Sequence, residues 1–537
     1  MRASGILMHI TSLYDEFGCG TLGKPAFDFV DFLAKSKTGY WQMLPIGPTG
    51  YGDSPYQSYS AFAGNVNLID LHDLIKKGLI EPDEPLLQTL KGNFNNYEEY
   101  GKIKTNVLRK AYDKYKKSDN QTDIFGVSLL HFFAYNRDWL EDYALFMTLK
   151  AETDGTPWPA WDKKYRLRDE TALLDFTREN IDTIHYYYFE QMVFALQFDT
   201  LKQYAGQNGV KLIGDMPIYV SADSADIWGA PENFRLDAGL RPTYVAGCPP
   251  DDFAPTGQLW GNPLYNWELM KQNGYKWWIR RMEYSARFFD VLRIDHFRGF
   301  ESFYAIPAAD TTAENGTWEK GPGAEMFKFI SAQMKKQSKP CPELIAENLG
   351  FLTPEVHEML DELGYPGMNV MEFAFGGDDS GYLPHNFIKN SVSYIGTHDN
   401  DTALGWFLSS DTATQKRVKR YTHAKGKSPK KAVKALIRTL FMSASDLVVV
   451  AAQDYLKLGS SARMNTPSTV GTNWHWQAEA DVFTDKLSRR IAKLNTTYFR
   501  TPVISTEPVA VEEKKETVAE IPAEKKAKKV MPLKLKK

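Results

Sequence analysis

The sequence predicts an α/β fold, a (β/α)8 or TIM barrel with large inserted subdomains, chiefly between its second and third strands. Three observations predict it. Eight short apolar runs recur along the chain, each ending in a polar cluster, and such runs suit strands buried on both faces. Helix-like stretches lie between several of them, and alternation of this kind gives a parallel sheet. The gap between the second and third runs is about 160 residues, far more than a βα connection needs.

The elements follow in order. Gly5–Ile10 is the first strand, with a helix expected over Lys24–Lys37. Tyr40–Ile46 is the second. The segment from about 50 to 210 is the main insertion, and its aromatic, helical content (Trp139, Trp158, Trp161) implies packed subdomains. Lys211–Ile218 is the third strand, followed by a helix over Tyr275–Phe289. Val291–Phe297, Leu344–Gly350, Met368–Phe375, Val392–Asp399 and Leu447–Gln453 are the remaining strands. Helices are expected over Ala324–Lys335, Pro354–Leu363 and Lys430–Met442. Residues 1–500 form the barrel and its insertions. Residues 501–537 lack Trp, Tyr, Phe and Gly and carry nine lysines against six glutamates, which predicts a disordered tail.

Composition excludes several classes. The formal charge of −3 gives no global basic field for nucleic acid or an anionic membrane. Three scattered cysteines exclude a disulfide scaffold and a four-thiolate zinc site. The apolar run near the N-terminus is too short for a signal peptide, and no run of about 20 apolar residues occurs, so a cytoplasmic location is expected. Gly18-Cys19-Gly20-Thr21-Leu22-Gly23 matches G-x-G-x-x-G, but seven residues separate it from the first strand. It is read as loop glycines rather than a dinucleotide cradle. Aromatic residues make up 13% of the chain, which suits a large core or a groove lined by rings against sugar faces.

Barrel strands point their C-terminal ends into one shared site. The third ends on Asp215, the fourth on Asp295, the fifth on Glu347 and the seventh on Asp399, with Arg293, His296, Arg298 and His398 beside them. A single acid in an apolar run is ordinarily a structural hydrogen-bonder. Four at four strand ends are harder to dismiss, because buried carboxylates are costly unless paired or used. Cleavage of a glycosidic bond needs such a set and no cofactor: one acid protonates the leaving oxygen and another attacks the anomeric carbon. Arg293, two residues before Asp295 and on the same strand face, would hold that carboxylate ionised. These residues alone do not say which acid attacks.

The motifs V-L-R-I-D-H-F (291–297), A-E-N-L-G (346–350) and G-T-H-D-N-D-T (396–402) resemble those of the amylomaltases, the bacterial 4-α-glucanotransferases of the α-amylase superfamily. S-G-I-L (4–7), the stretch at 40–58, G-D-M-P-I-Y-V (214–220), Q-L-W-G-N-P-L-Y (258–265) and R-M-N-T-P (463–467) match in the same order. The resemblance implies Asp295 as nucleophile, Glu347 as general acid/base and Asp399 as transition-state stabiliser. It implies substrate contacts for Arg293, His398, Asp215 and Asn465. It further implies a flexible active-site loop over about 245–265, with Phe253 and Trp260 gripping the glucan and Tyr56 and Tyr59 lining acceptor subsites. In that loop Asp252 stands where relatives often carry an aromatic. The implied activity is transfer of α-1,4-glucan segments (maltooligosaccharides, amylose, glycogen-derived dextrins) with retention of configuration, a hydrolase of the same superfamily being the alternative. No organic cofactor or metal is implied. A metal-dependent hydrolase is disfavoured because the first strand offers only His9, with no His-x-His pair. A non-catalytic glucan binder would be expected to have a broken carboxylate set.

Overall fold

The computed structural model describes residues 2–91, 97–119, 121–250, 254–350, 352–377 and 380–502. Eight parallel strands close a barrel: β1 (Ala3–Leu7), β2 (Tyr40–Gln42), β3 (Lys211–Met216), β4 (Val291–Ile294), β5 (Glu343–Ala346), β6 (Gly367–Val370), β7 (Ser391–Tyr394) and β8 (Leu447–Ala451). They neighbour one another in chain order, and β1 pairs with β8 through Ala3↔Leu447 to Leu7↔Ala451. Each of the eight apolar runs overlaps one strand, though β1, β5, β6 and β7 begin one or two residues before their runs. The strands end before the runs do. Pro217 follows β3, and a residue without an N–H cannot extend a ladder.

The barrel interior is a core of its own, filled by Leu7, Ile213, Val291, Ile345, Met368, Val392 and Val449 with neighbours from the loops above. Side chains two residues apart share a strand face. Asp215 therefore stands one layer above Ile213, and Arg293 one layer above Val291. The register Asp215↔Arg293 sets the two side by side. Ile294↔Ala346 makes Asp295 and Glu347 the first residues beyond two adjoining strands.

Helices cover the outside. Lys24–Lys35, Lys276–Phe288, Gly323–Lys336, Pro354–Leu363 and Pro429–Met442 lie where the sequence places helices, within two residues at each end. Between β2 and β3 run Tyr97–Lys116, Leu129–Glu152 and Ile181–Gln207, packed through rings such as Trp139, Trp158 and Trp161. A second sheet is not evident in the sequence. It is four-stranded and antiparallel, in the order Thr317–Lys320, Ser302–Pro307, Tyr244–Cys248, Gln258–Pro263. It is assembled from the excursions after β3 and β4, so insertions are not confined to the β2–β3 gap.

The glycine-rich stretch behaves as loop. Gly18 and Cys19 form a two-residue antiparallel pair with Tyr14 and Asp15. A Cβ on Gly20 would lie 2.1 Å from the Ile10 carbonyl oxygen, and one on Gly23 would strike the Asp70 carboxylate. Those glycines answer to close packing. The tail expected at 501–537 lies, from residue 503 onward, outside the described residues. Among the described residues no helix is long and apolar enough to cross a membrane.

Candidate active site

The site is built on the top layer of the barrel interior. The Arg293 side chain is only 4% exposed and reaches three acids: its Nη1 lies 2.6 Å from Asp215 Oδ1 and 3.0 Å from Asp295 Oδ1, and its Nη2 4.0 Å from Glu347 Oε2. Burial opposes the charge on Arg293, but Asp215 and Asp295 outweigh it and hold the guanidinium ionised. Asp215, with no side-chain exposure, is the structural half of the pair, and Asp295 is the half open to the cleft at 29%.

Burial pushes the Asp295 carboxyl up to about 6, with Arg293 pulling it back and the charges of Asp215 and Asp399 adding to the rise. Burial, reinforced by the facing charge on Asp295, pushes Glu347 further, to about 7. The two neighbouring carboxyls thus take different roles. The one nearer the guanidinium takes the charge and the other keeps the proton.

Glu347 is also held by the backbone. The His296 N–H donates to its Oε2 at 2.5 Å, and the Phe297 N–H donates to its main-chain carbonyl at 3.0 Å. His296 achieves this from the left-handed region, at φ 46° and ψ 49°, where a non-glycine residue is uncommon. Burial, with Arg298 nearby, lowers the His296 imidazole to about 3, so it is neutral at ordinary pH.

On the opposite wall, the Tyr56 hydroxyl donates to Asp215 Oδ2 at 2.9 Å and lies 2.8 Å from His398 Nε2. With its proton committed to Asp215, the phenol oxygen accepts from Nε2–H. The two rings stack at 5.3 Å and 12°, and the Trp474 ring adjoins both. Asp399 lies beyond the end of β7, on a loop. Asn465 Nδ2 donates to its Oδ1 at 2.6 Å, and His398 Nε2 lies 3.3 Å from the same oxygen.

The structure therefore gathers Asp215, Arg293, Asp295, Glu347, His398, Asp399, Tyr56 and Asn465 into one bonded cluster. Trp260 joins through the second sheet, its ring edge-on to His296 at 4.8 Å and 89°. Tyr59 packs elsewhere, against the Lys150 ammonium at 4.9 Å from its ring. Phe253 and Asp252 lie outside the described residues.

Sequence reasoning missed a second set of acids. Glu372 and Asp454 follow β6 and β8, and the charges of Asp454 and Asp401 act on Glu372. Burial raises Glu372 well above the carboxylate range, reinforced by Asp454 and Asp401, and raises Asp454 to about 7. Their strand-end positions were the available signal.

The profile of the family described as 4-alpha-glucanotransferase matches residues 8–482. The chain belongs to the 4-alpha-glucanotransferase family. A 4-alpha-glucanotransferase of Streptococcus pneumoniae is 43% identical over 505 residues, covering 93% of this chain and 97% of that protein. One from Clostridium butyricum is 42% identical over 501 residues, covering 92% of this chain and all of that protein. The solved amylomaltase of Streptococcus agalactiae in complex with acarbose superposes with a TM-score of 0.87 at 37% identity, covering 93% of this chain and all of that one. These 4-alpha-glucanotransferase relatives carry transferase names, so the hydrolase alternative is not favoured.

Proposed function

We propose that the cluster transfers α-1,4-glucan segments to the 4-hydroxyl of an acceptor glucan or glucose, in two displacements with retention of configuration. Asp295 attacks the anomeric carbon. Its charge is secured by Arg293, which is itself locked by Asp215. Glu347 gives its proton to the departing oxygen, then removes a proton from the incoming 4-hydroxyl. Asp399 and His398 face the positive charge that develops on the ring. The single observation carrying this reading is the Arg293 bridge, with Glu347 at about 7 beside Asp295 at about 6.

Transfer requires the intermediate to meet a sugar hydroxyl before water. The strand Gln258–Pro263 brings Trp260 edge-on to His296 beside Asp295, and this ring supports a covered site. A covered site excludes water and holds the acceptor at high effective concentration. Residues 1–500 would be the catalytic unit, working in the cytoplasm on maltooligosaccharides, amylose or glycogen-derived dextrins. The test is incubation with maltotriose, products resolved by chain length, beside Asp295→Asn. Glucose plus a ladder of longer oligomers, lost in the variant, is the expected outcome. Glucose and maltose alone would mean hydrolysis, and an unchanged ladder in the variant would move the nucleophile elsewhere.

A further inference from the structure

Asp399 lies on a loop five residues past the end of β7, so the barrel does not fix it as it fixes Asp295. Something else must. The Arg463 guanidinium donates through Nη2 to the Asp399 carbonyl at 2.5 Å and through Nε to the Asn465 carbonyl at 2.6 Å. Asn465 in turn donates its side-chain amide to Asp399 Oδ1 at 2.6 Å and its backbone N–H to the His398 carbonyl at 3.1 Å. One guanidinium therefore closes a ring of hydrogen bonds through two loops, and the acid that faces the cleft hangs from that ring.

Further acids adjoin the ring. At Glu372, which burial keeps protonated, Asp454 and Asp401 reinforce the rise and the Arg463 cation opposes it. Asp401 accepts from Thr402 N–H at 2.7 Å and from the Ser460 hydroxyl at 2.6 Å. Asp454 accepts from Ala403 N–H at 2.7 Å. Segment 399–403 is thus tied to segment 460–465 through Asp399 and Asp401, and to Asp454 through Ala403. Arg463, Asp401, Asp454, His398 and His9 line one small cavity of about 20 Å3. Asp399 lies past the strand end, so these polar ties are what set its position.

We propose that Arg463 is a positioning residue for the reaction. It sets Asp399 through the backbone and Asn465 through its carbonyl, so that Asn465 serves the carboxylate of Asp399 rather than the sugar. The inference rests on the role given to Asp399 above. Lysine cannot reproduce the ring, because a single ammonium lacks the planar fork that meets two carbonyls at fixed spacing.

The experiment compares Arg463→Lys, Asn465→Ala and the double variant in maltotriose disproportionation, with Asp399→Asn alongside. Arg463→Lys is expected to lower kcat by about 10- to 100-fold and to leave KM within about two-fold, since the acid acts in the transition state. Asn465→Ala is expected to do the same, and the double variant to be no worse than the poorer single one, because both cut the same ring. The pH profile supplies the readout that a purely structural role would not move. The charges facing Glu347 are Asp295, Arg293 and Asp399, with the His296 N–H and, from the following loop, Tyr382. Loosening Asp399 removes a like charge, so the alkaline limb shifts to lower pH. Should Arg463→Lys fail to fold, the Asn465→Ala split and shift decide the matter alone. An unshifted profile with kcat retained, or a loss confined to KM or to thermal stability, overturns the inference. Full activity in Asp399→Asn would instead overturn the underlying assignment.

Discussion

At the scale of single residues, the two cleft acids fix the pH behaviour. Asp295 must be ionised to attack and Glu347 protonated to assist departure. The pair titrates jointly, at apparent values of about 6 and about 7. Activity should rise as pH climbs through the lower value and fall through the higher, a narrow bell read from kcat/KM against pH. Glu347→Gln should lose kcat by about 10²- to 10⁴-fold and flatten the alkaline limb. Glu372 makes an opposite kind of statement. Its folded pKa is raised, chiefly by burial, and its Oε1 finds no partner among the described residues. The folded state then holds a proton that the unfolded chain releases above the ordinary carboxylate range. That contribution to stability is present at low pH and lost as pH rises, by about 1.4 kcal/mol per unit over that window. Glu372→Gln should therefore melt higher than the parent at pH 8 and close to it at pH 4. Asp215, Asp295, Glu347 and Asp399 were legible as candidates because strand-end acids converge. Glu372 was hidden inside the apolar run M-N-V-M-E-F-A-F, where one polar letter reads as an exception.

Among elements, the strands were legible and the second sheet was not. A strand buried on both faces leaves a continuous apolar run, and eight such runs survive any local ambiguity. The antiparallel sheet pairs Tyr244–Cys248 with Ser302–Pro307 across β4, a long-range pairing that leaves no local trace. Its hairpin strand Gln258–Pro263 is mostly half-exposed and has little apolar pattern to read. The G-x-G-x-x-G match shows the reverse case, a local pattern without its usual context. Gly20→Ala tests that view. Its Cβ would meet the Ile10 carbonyl and Leu13, so the substitution should cost on the order of 1–3 kcal/mol in chemical denaturation. Turnover per folded molecule should be unchanged.

For the whole molecule, barrel closure is the deciding contact. Arg500 is buried and donates to the carbonyls of Phe441, Ser443, Ser445 and Ala3, while Arg2 donates to Phe441 and Ser443. Burial, with Arg2 nearby, lowers the Arg500 guanidinium to about 9. Arg500→Ala would strand several carbonyls at once and should cost at least about 2 kcal/mol. A chain ending at Pro502 keeps Arg500 and should melt with the parent. One ending at residue 499 should melt well below it. Nothing in the residue pattern pointed to Arg500, because its partners are main-chain oxygens and carry no letter in the sequence.

The pairing of β1 with β8 also sets a schedule. A ribosome delivers the first strand early and its partner only after Leu447 has emerged. At about 5–20 residues per second, the first edge waits roughly 20–90 s for its neighbour. During that interval the growing chain exposes an open parallel sheet, the form most prone to sticking to other nascent chains. Chaperone demand during synthesis should therefore peak just before the eighth strand appears, and slowing translation upstream of codon 447 should lower the soluble yield.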